Sequence, residues 1–490
     1  MRITNQMMIN STMANIQVNK NQLNTLDNQL STEKKISKPS EDPIIAIRAL
    51  RLRASLDQVT QYLDKNIPDA DSWLKTTEGA LDEAYSILTD LYDYCTQGAT
   101  DSYSSAERNT IAESLNKLRD AYYAEGDVEY AGRYVFTGFM TDTPLTYQSD
   151  EAAADVDFTI TQSFTRDDLE TKKVYTNAYT NEDILNLDVK TDASGNIITP
   201  NVADVHRVRI AYSEVDDAGP FEIVMADGTT IAAATTTDSN YQPGDDEVVF
   251  NASTGELLLG QNVYNQLYAS DGFSFTYRKD NFIKGDLNPV MYFDCVDNNP
   301  DNAGVVYNKV NEDIEYNINF SQKLKVNTEA NEAFNIYLGR DIDDLITSVN
   351  NVIDLEKQIE QVEGMLEQDQ YSDAESQSKL NSIKEGLTKQ KELAEEEMTN
   401  AFERGVGKMQ DYQEQTSLAK ADVGNRMTRL NLTRSRLTEQ KTNFTNLKSQ
   451  NEDIDIEEVV VGYSSAQLVY NASLMAASKV VQQTLLDFLG

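Results

Sequence analysis

Residues 9–30, INSTMANIQVNKNQLNTLDNQL, set Ile9, Ile16, Leu23 and Leu30 seven residues apart, with Met13 and Leu26 beside them. A seven-residue repeat puts one narrow apolar stripe along a helix, as in the seam of a coiled coil or bundle. The far end of the chain repeats the pattern. Val461, Leu468, Met475 and Leu489 fall at multiples of seven, with Ala472 and Leu486 on the adjoining face. Two distant helices that each carry a stripe must bury it, and the nearest candidate for each is the other. The pattern therefore predicts an antiparallel stem built from both termini. Two such helices bury little surface alone, so neighbouring copies are expected to supply the missing contacts.

Working inward, Pro39 and Pro43 flank Ser40-Glu41-Asp42, which reads as a helix stop and a new start. Ser40 is expected to cap the new helix, and Pro43 suits its first turn. A second helical pattern runs to Gly98, with Leu74, Leu81, Leu88 and Cys95 at seven-residue spacing and a joint at Pro68. A shorter helix is predicted over about 105–125. From the C-terminal side, Val423, Leu430, Leu437 and Phe444 form another heptad stripe, interrupted at Asn451-Glu452-Asp453. The segment near 355–400, rich in Glu, Gln and Lys, reads as an added helical hairpin.

Between these helices the texture is β-like. Phe221–Met225 and Thr229–Ile231 flank Asp227-Gly228, a strong hairpin signal. Val248–Phe250 and Leu257–Leu259 flank Ser253-Thr254-Gly255 in the same way. Ile314, Tyr316, Ile318 and Phe320 alternate with polar residues, as in a half-buried strand. The fold class is thus α+β, with long terminal helices in an antiparallel coiled-coil or bundle stem and a β-rich domain inserted in the middle. The expected divisions are an N-terminal assembly helix (1–40), the N-terminal half of the helical stem (41–140) and the β-rich outer domain (141–330). The C-terminal half of the stem (331–450), including the 355–400 hairpin, and a C-terminal assembly helix (451–490) complete it.

Charge follows the same divisions. The 490 residues carry 42 Lys and Arg against 81 Asp and Glu, a net charge of −39. Residues 1–60 hold eight basic against five acidic side chains, and 404–450 nine against four, whereas 141–330 hold twelve against thirty-three. The acidity sits in the middle, which is therefore the solvated part. So large a negative charge disfavours nucleic acid and anionic membranes as partners. No apolar run approaches the roughly 20 residues of a membrane helix, and the N-terminus lacks a signal-peptide core.

Chemistry is thinly supported. HExxH, GxxxxGK[ST] and GxSxG do not occur, nor does GxGxxG after a strand. His206, the single histidine, is read as a strand residue, and Cys95 as a buried structural thiol continuing its leucine stripe. Trp73 is read as packing. Asp294, Asp297, Asn299 and Asp301 form the densest oxygen-ligand cluster. A calcium loop counted from Asp297 would need Gly and Glu where Asn302 and Asn308 stand, so a turn is the better reading. No catalytic residue, metal or cofactor is called for.

Several separated motifs then carry a resemblance. Met1-Arg2-Ile3-Thr4-Asn5-Gln6-Met7-Met8 resembles the start of the bacterial hook–filament junction family within the flagellin superfamily. Leu30–Ile36 (LSTEKKI) is similar to its LSTGKRI segment, with Glu33 in place of Gly, and Lys38–Pro43 (KPSEDP) to its RPSDDP. Arg48–Arg53, Trp73–Leu81, Tyr134–Gly138, Ala421–Arg426 and Leu485–Leu489 continue the likeness, which covers about 1–147 and 405–490. Family-motif positions here are Pro39, Ser40, Asp42, Pro43, Arg51, Gly424 and Arg426. The resemblance implies a non-enzymatic structural adaptor joining hook to filament. Its subunits would form a ring in the axial structure, beside another hook-associated junction protein and flagellin. It also implies export through the flagellar type III apparatus, an export chaperone, and a location in the extracellular flagellum. The terminal helices would form the inner layer, through Ile9, Met13, Ile16, Leu23, Leu30, Val461, Leu468, Ala472, Met475, Leu486 and Leu489. The competing readings are flagellin itself, an enzyme carried on a flagellar stem, and a secreted coiled-coil adhesin.

Overall fold

The computed structural model describes residues 5–100, 103–300 and 304–489. The chain divides into two compact units, one formed by residues 1–70, 316–324 and 428–490, the other by 71–315 and 325–427.

In the first unit, α1 (Asn5–Thr32) packs against α7 (Ile456–Leu489). Asn19 Nδ2 donates to Ser473 Oγ at 2.6 Å, and the backbone N–H of Lys35 donates to Glu452 O at 2.7 Å, so the two helices run antiparallel. After α1 the chain turns at Glu33 and enters α2 (Pro43–Gln61). Its cap is Asp42, not the expected Ser40. Pro43 keeps the preceding residue out of the helical region, and Asp42 sits extended at φ −147°, ψ 101°. From there its Oδ1 accepts from the N–H groups of Ile44 and Ile45 at 2.9 and 3.1 Å, leaving Ser40 exposed in the turn.

The expected joint at Pro68 takes the form of a π turn. A proline inside a helix lacks an N–H, and its ring collides with the carbonyl four residues back. The helix widens over Tyr62–Asn66, with the Ile67 N–H donating five residues back to Tyr62 O, before α3 (Ile67–Gly98) begins. A small hairpin of β11 (Glu315–Asn319) and β12 (Gln322–Lys325) rests against this turn, where Phe320 meets Tyr62 edge-on at 5.6 Å.

The second unit joins helices to a ten-stranded sheet. Leu74, Leu81, Leu88 and Cys95 on α3 are fully buried, as their spacing predicts. They share the helical core with α4 (Ser105–Ala124), α5 (Tyr337–Leu366) and the first part of α6 (Ala374–Glu452). Within 355–400, α5 turns back into α6, with Lys384–Glu363 at 2.8 Å and Lys391–Glu356 at 3.0 Å across the pair.

The sheet consists of β1 (Phe158–Phe164), β2 (Glu170–Thr176), β3 (Asn201–Arg209), β4 (Phe221–Met225), β5 (Thr230–Thr235), β6 (Val248–Asn251), β7 (Glu256–Leu259), β8 (Phe273–Lys279), β9 (Asp294–Asp297) and β10 (Val306–Tyr307). Their spatial order is β10-β9-β1-β8-β4-β5-β6-β7-β3-β2. Neighbours run antiparallel except β5 and β6. Both predicted hairpins form. Gly228 supplies the left-handed turn between β4 and β5 (φ 85°), and Gly255 that between β6 and β7 (φ 62°). A Cβ at Gly255 would also stand 2.1 Å from Tyr212 O. Alternating burial along β1 and β8 puts Phe158, Ile160, Phe164, Phe273, Phe275 and Tyr277 inside. The α+β expectation is borne out.

Candidate assembly interface

The segment that ends α1 and the segment that ends α6 meet as a short clamp in the first unit. The Lys35 N–H donates to Glu452 O, and the Ile454 N–H donates to Glu33 O at 3.2 Å. Around this ribbon, Arg53 makes a two-pronged bond to Glu452, Nε at 2.8 Å and Nη2 at 2.7 Å. Glu452 is buried, and its hydrogen bonds raise the Arg53 pKa. Lys34 pairs with Asp453, Ser449 Oγ donates to Asp453 at 2.7 Å, and Asn451 Nδ2 donates to Ile45 O at 3.1 Å. Asn451-Glu452-Asp453, legible in the sequence only as an interruption, is therefore one half of a built joint. Nothing in the sequence pairs Arg53 with a carboxylate 399 residues away.

Beyond the joint, Ile9, Ile16, Leu23 and Leu30 are half-buried, and Met13 is exposed. The face that α7 turns to α1 includes small residues: Gly462 approaches Leu26, and Ser473 bonds Asn19. The two helices leave a cleft of about 470 Å³, lined by Leu26, Gln29, Val459, Gly462, Ala466 and Val469 among others. The stripe predicted on α7 lies on the other side of that helix. Val461, Leu468 and Met475 are 70–73% exposed, and Ala472 is exposed as well. Among the described residues the two predicted stripes do not meet within one chain. The side chains of Leu486 and Leu489 lie outside the described residues.

Of the motif positions, Asp42 and Pro43 start α2, Pro39 and Ser40 form the exposed turn before it, and Arg51 is exposed on α2. Gly424 and Arg426 lie on α6 in the second unit. There Arg426 Nη1 donates to Asn327 O at 2.6 Å, and the buried Asn327 side chain ties Ile314 and Glu312 to the same loop.

The second unit holds a charged cluster that sequence reading misses altogether. Arg207 and Arg209 on β3 reach between Glu170 on β2, Glu256 on β7, and Asp341 and Asp344 on α5. Arg209 lies 2.8 Å from Glu170 and 2.5 Å from Asp341, while Arg207 lies 2.6 Å from Asp344. Lys172 joins Glu256 at 2.7 Å, and Tyr412 on α6 donates to Asp341. Burial alone would raise the Asp344 carboxyl, but Arg207 and Arg209 outweigh it and hold it far below the usual range. The cluster anchors the sheet to the helices. Alternate inward positions on β3 read as ordinary strand residues, and only the fold gathers their partners.

The remaining candidates are structural. His206 stacks on Tyr264, ring centroids 3.7 Å apart, and its ring nitrogens face Thr171 and Gln261. Cys95 and Cys295 are buried free thiols, both pushed up to about 12 chiefly by desolvation. Trp73 is buried beneath Arg133, whose guanidinium lies 4.8 Å from its ring centroid. Asp297 closes a turn by accepting from the Asn299 N–H at 2.9 Å, and Asp301 lies outside the described residues. Among the described residues no cluster of three or more His, Cys, Asp or Glu is placed to hold a metal, and no helix is long and apolar enough to cross a membrane.

With this geometry in hand, residues 3–141 match the bacterial flagellin N-terminal helical region. Residues 3–141 are thus similar to the N-terminal helical region of the flagellins. Among individual relatives, the chain is 28% identical over 144 residues to flagellar hook-associated protein 3 of Salmonella typhimurium, covering 29% of this chain and 45% of that one. It is likewise 28% identical over 120 residues to a flagellin of Clostridium tyrobutyricum, covering 24% of this chain and 32% of that one. The chain spans a third to a half of the length of these relatives. A flagellar hook-associated protein-3 structure from Legionella pneumophila aligns over 81% of this chain and 96% of that one, at 12% identity and a TM-score of 0.31.

Proposed function

We propose that this chain is a structural subunit of the bacterial flagellum that joins hook to filament through self-assembly of its terminal helices. The observation that carries the reading is the pairing of a flagellin-type N-terminal helix with the C-terminal helix while the heptad stripe of α7 stays exposed. A stripe of that length in water is unfavourable unless other copies cover it. The inner layer then comprises Ile9, Met13, Ile16, Leu23 and Leu30 with Val461, Leu468, Ala472, Met475, Leu486 and Leu489. The sheet region, with thirty-three acidic against twelve basic side chains over 141–330, is then the solvated part. In this reading the chain leaves the cell by the type III route, held beforehand by an export chaperone at its C-terminal region. It is then seated between a second hook-associated junction protein and flagellin.

Flagellin is the second reading, favoured by the likeness to the Clostridium protein. The KPSEDP segment and the MRITNQMM start support the junction reading over it. Immunogold electron microscopy with antibody to residues 141–330 separates them. A narrow band of label where hook meets filament is expected, whereas label along the whole filament would make the chain a flagellin. Absence of flagellar label, with the antigen accessible elsewhere, would remove both.

A further inference from the structure

The first helical turns after the clamp on α2 and α7 carry two exposed faces of opposite charge. On α2, Ile44, Ile47 and Leu50 are 53–63% exposed, with exposed Arg48 and Arg51 among them. At 100° per residue these five positions share one side of the helix. The first half of α2 contains no acid before Asp57, and its remaining cation, Arg53, is taken by Glu452. On α7, Ile456, Val460 and Val461 are exposed, and Glu457 shares the side of the helix that carries Val461, Leu468 and Met475. Glu458 follows it, and Asp455 caps the helix, accepting from the Glu457 N–H at 3.0 Å. The apolar runs 44–50 and 456–461 span roughly 9 and 8 Å at 1.5 Å per residue. Both faces adjoin one joint in one chain, yet both remain exposed, so the chain does not cover either with the other.

We infer that the α2 face of one copy receives the start of α7 of a second copy. Ile44, Ile47 and Leu50 would cover Ile456, Val460 and Val461, with Arg48 and Arg51 set against Glu457 and Glu458. The occupant is a second copy because length, apolarity and sign of charge match within the same chain. Such a contact joins unlike patches, and so adds copies head to tail until a ring closes or a filament extends. It assigns an assembly role to α2, outside the terminal stripes, and it rests on the self-assembly reading above.

Two measurements test it, both on the full chain assembled with polyethylene glycol at low ionic strength, where charge is least screened. First, an Ile47→Cys chain and a Val461→Cys chain are mixed, assembled and oxidised. Cys95 and Cys295 are buried, so the new thiols react without competition. A disulfide-linked dimer in the mixture, absent from either chain alone, is expected. Dimers of the Ile47→Cys chain alone would mean that α2 meets α2, which overturns the inference. Assembly without any cross-link overturns it too and leaves self-assembly standing.

Second, Arg48→Glu/Arg51→Glu should raise the lowest concentration that sediments by about tenfold or more, through like-charge repulsion. Adding Glu457→Arg/Glu458→Arg in the same chain should restore most of it. No rescue, with the sheet folded by circular dichroism, counts against the charge pairing. If the unmodified chain never sediments, the self-assembly reading fails, and this inference with it.

Discussion

Glu33 holds a left-handed backbone at φ 56°, where an L side chain carries a steric cost of about 1–2 kcal/mol. Its carbonyl accepts from Ile454, so the strained turn is the point at which the two ends of the chain join. The family motif has Gly here, and the geometry shows why: without a Cβ the turn is free of that cost. Glu33→Gly should therefore leave the joint as stable or firmer, despite the extra freedom of the unfolded chain. Glu33→Val should weaken it by about 1–2 kcal/mol, because a β-branched residue tolerates this region least. Hydrogen exchange at the Ile454 amide reads both. Faster exchange in the Gly variant than in the Val variant would contradict this account.

The α3 helix shows how one substitution changes sign along one element. Both Gly79 and Gly98 lie on it. A Cβ at Gly79 would meet nothing within 4 Å, so Gly79→Ala gains helix propensity and should stabilise by about 0.5–1 kcal/mol. A Cβ at Gly98 would lie 2.4 Å from the buried ring of Phe402 on α6. Gly98→Ala must displace that ring and should cost about 1–3 kcal/mol. Urea unfolding of the two variants, compared at equal slope, tests the pair. Equal shifts of the same sign would show that propensity alone governs the helix. The spacing of Leu74, Leu81, Leu88 and Cys95 makes the buried stripe of α3 legible in advance. The glycine that looks like a simple helix stop turns out to be the seat of an aromatic ring.

At the scale of the whole molecule, the sheet is held to the helices by the charged cluster around Arg207 and Arg209. Burial would raise Glu170, Glu256 and Asp344, yet the neighbouring cations outweigh it and leave all three below the ordinary carboxylate range. A carboxylate with a depressed folded pKa contributes stability above its unfolded value, and that contribution is lost as pH falls toward the folded one. The urea midpoint of the second unit should thus be flat from pH 7 to about pH 5 and fall steadily below about pH 4. Glu256→Gln, which leaves Lys172 and Arg207 without their shared carboxylate, should lower the midpoint at pH 7 and shrink the acid slope. An unchanged slope would mean that the cluster does not govern acid stability. Removing one partner of such a cluster hurts more than the intact cluster helps, because the cations left behind are already desolvated.

The sequence by itself determined what depends on local periodicity and turn chemistry. Heptad stripes gave away the helices, Asp-Gly and Ser-Thr-Gly the hairpins, and Pro43 the start of α2 to within the choice of its cap. Charge counts separated an acidic middle from more basic ends. The motifs around 30–53 carry the resemblance to the flagellin superfamily. The tertiary structure decided everything that depends on partners hundreds of residues apart. It set Arg53 on Glu452, gathered Glu170, Glu256 and Asp344 around Arg207, and turned the side of α7 that carries Gly462 and Ser473 toward α1. A stripe shows that a helix has an apolar face, because side-chain direction repeats along the backbone. It does not show what that face meets, and here one face of α7 is spent within the chain while Val461, Leu468 and Met475 stay in water.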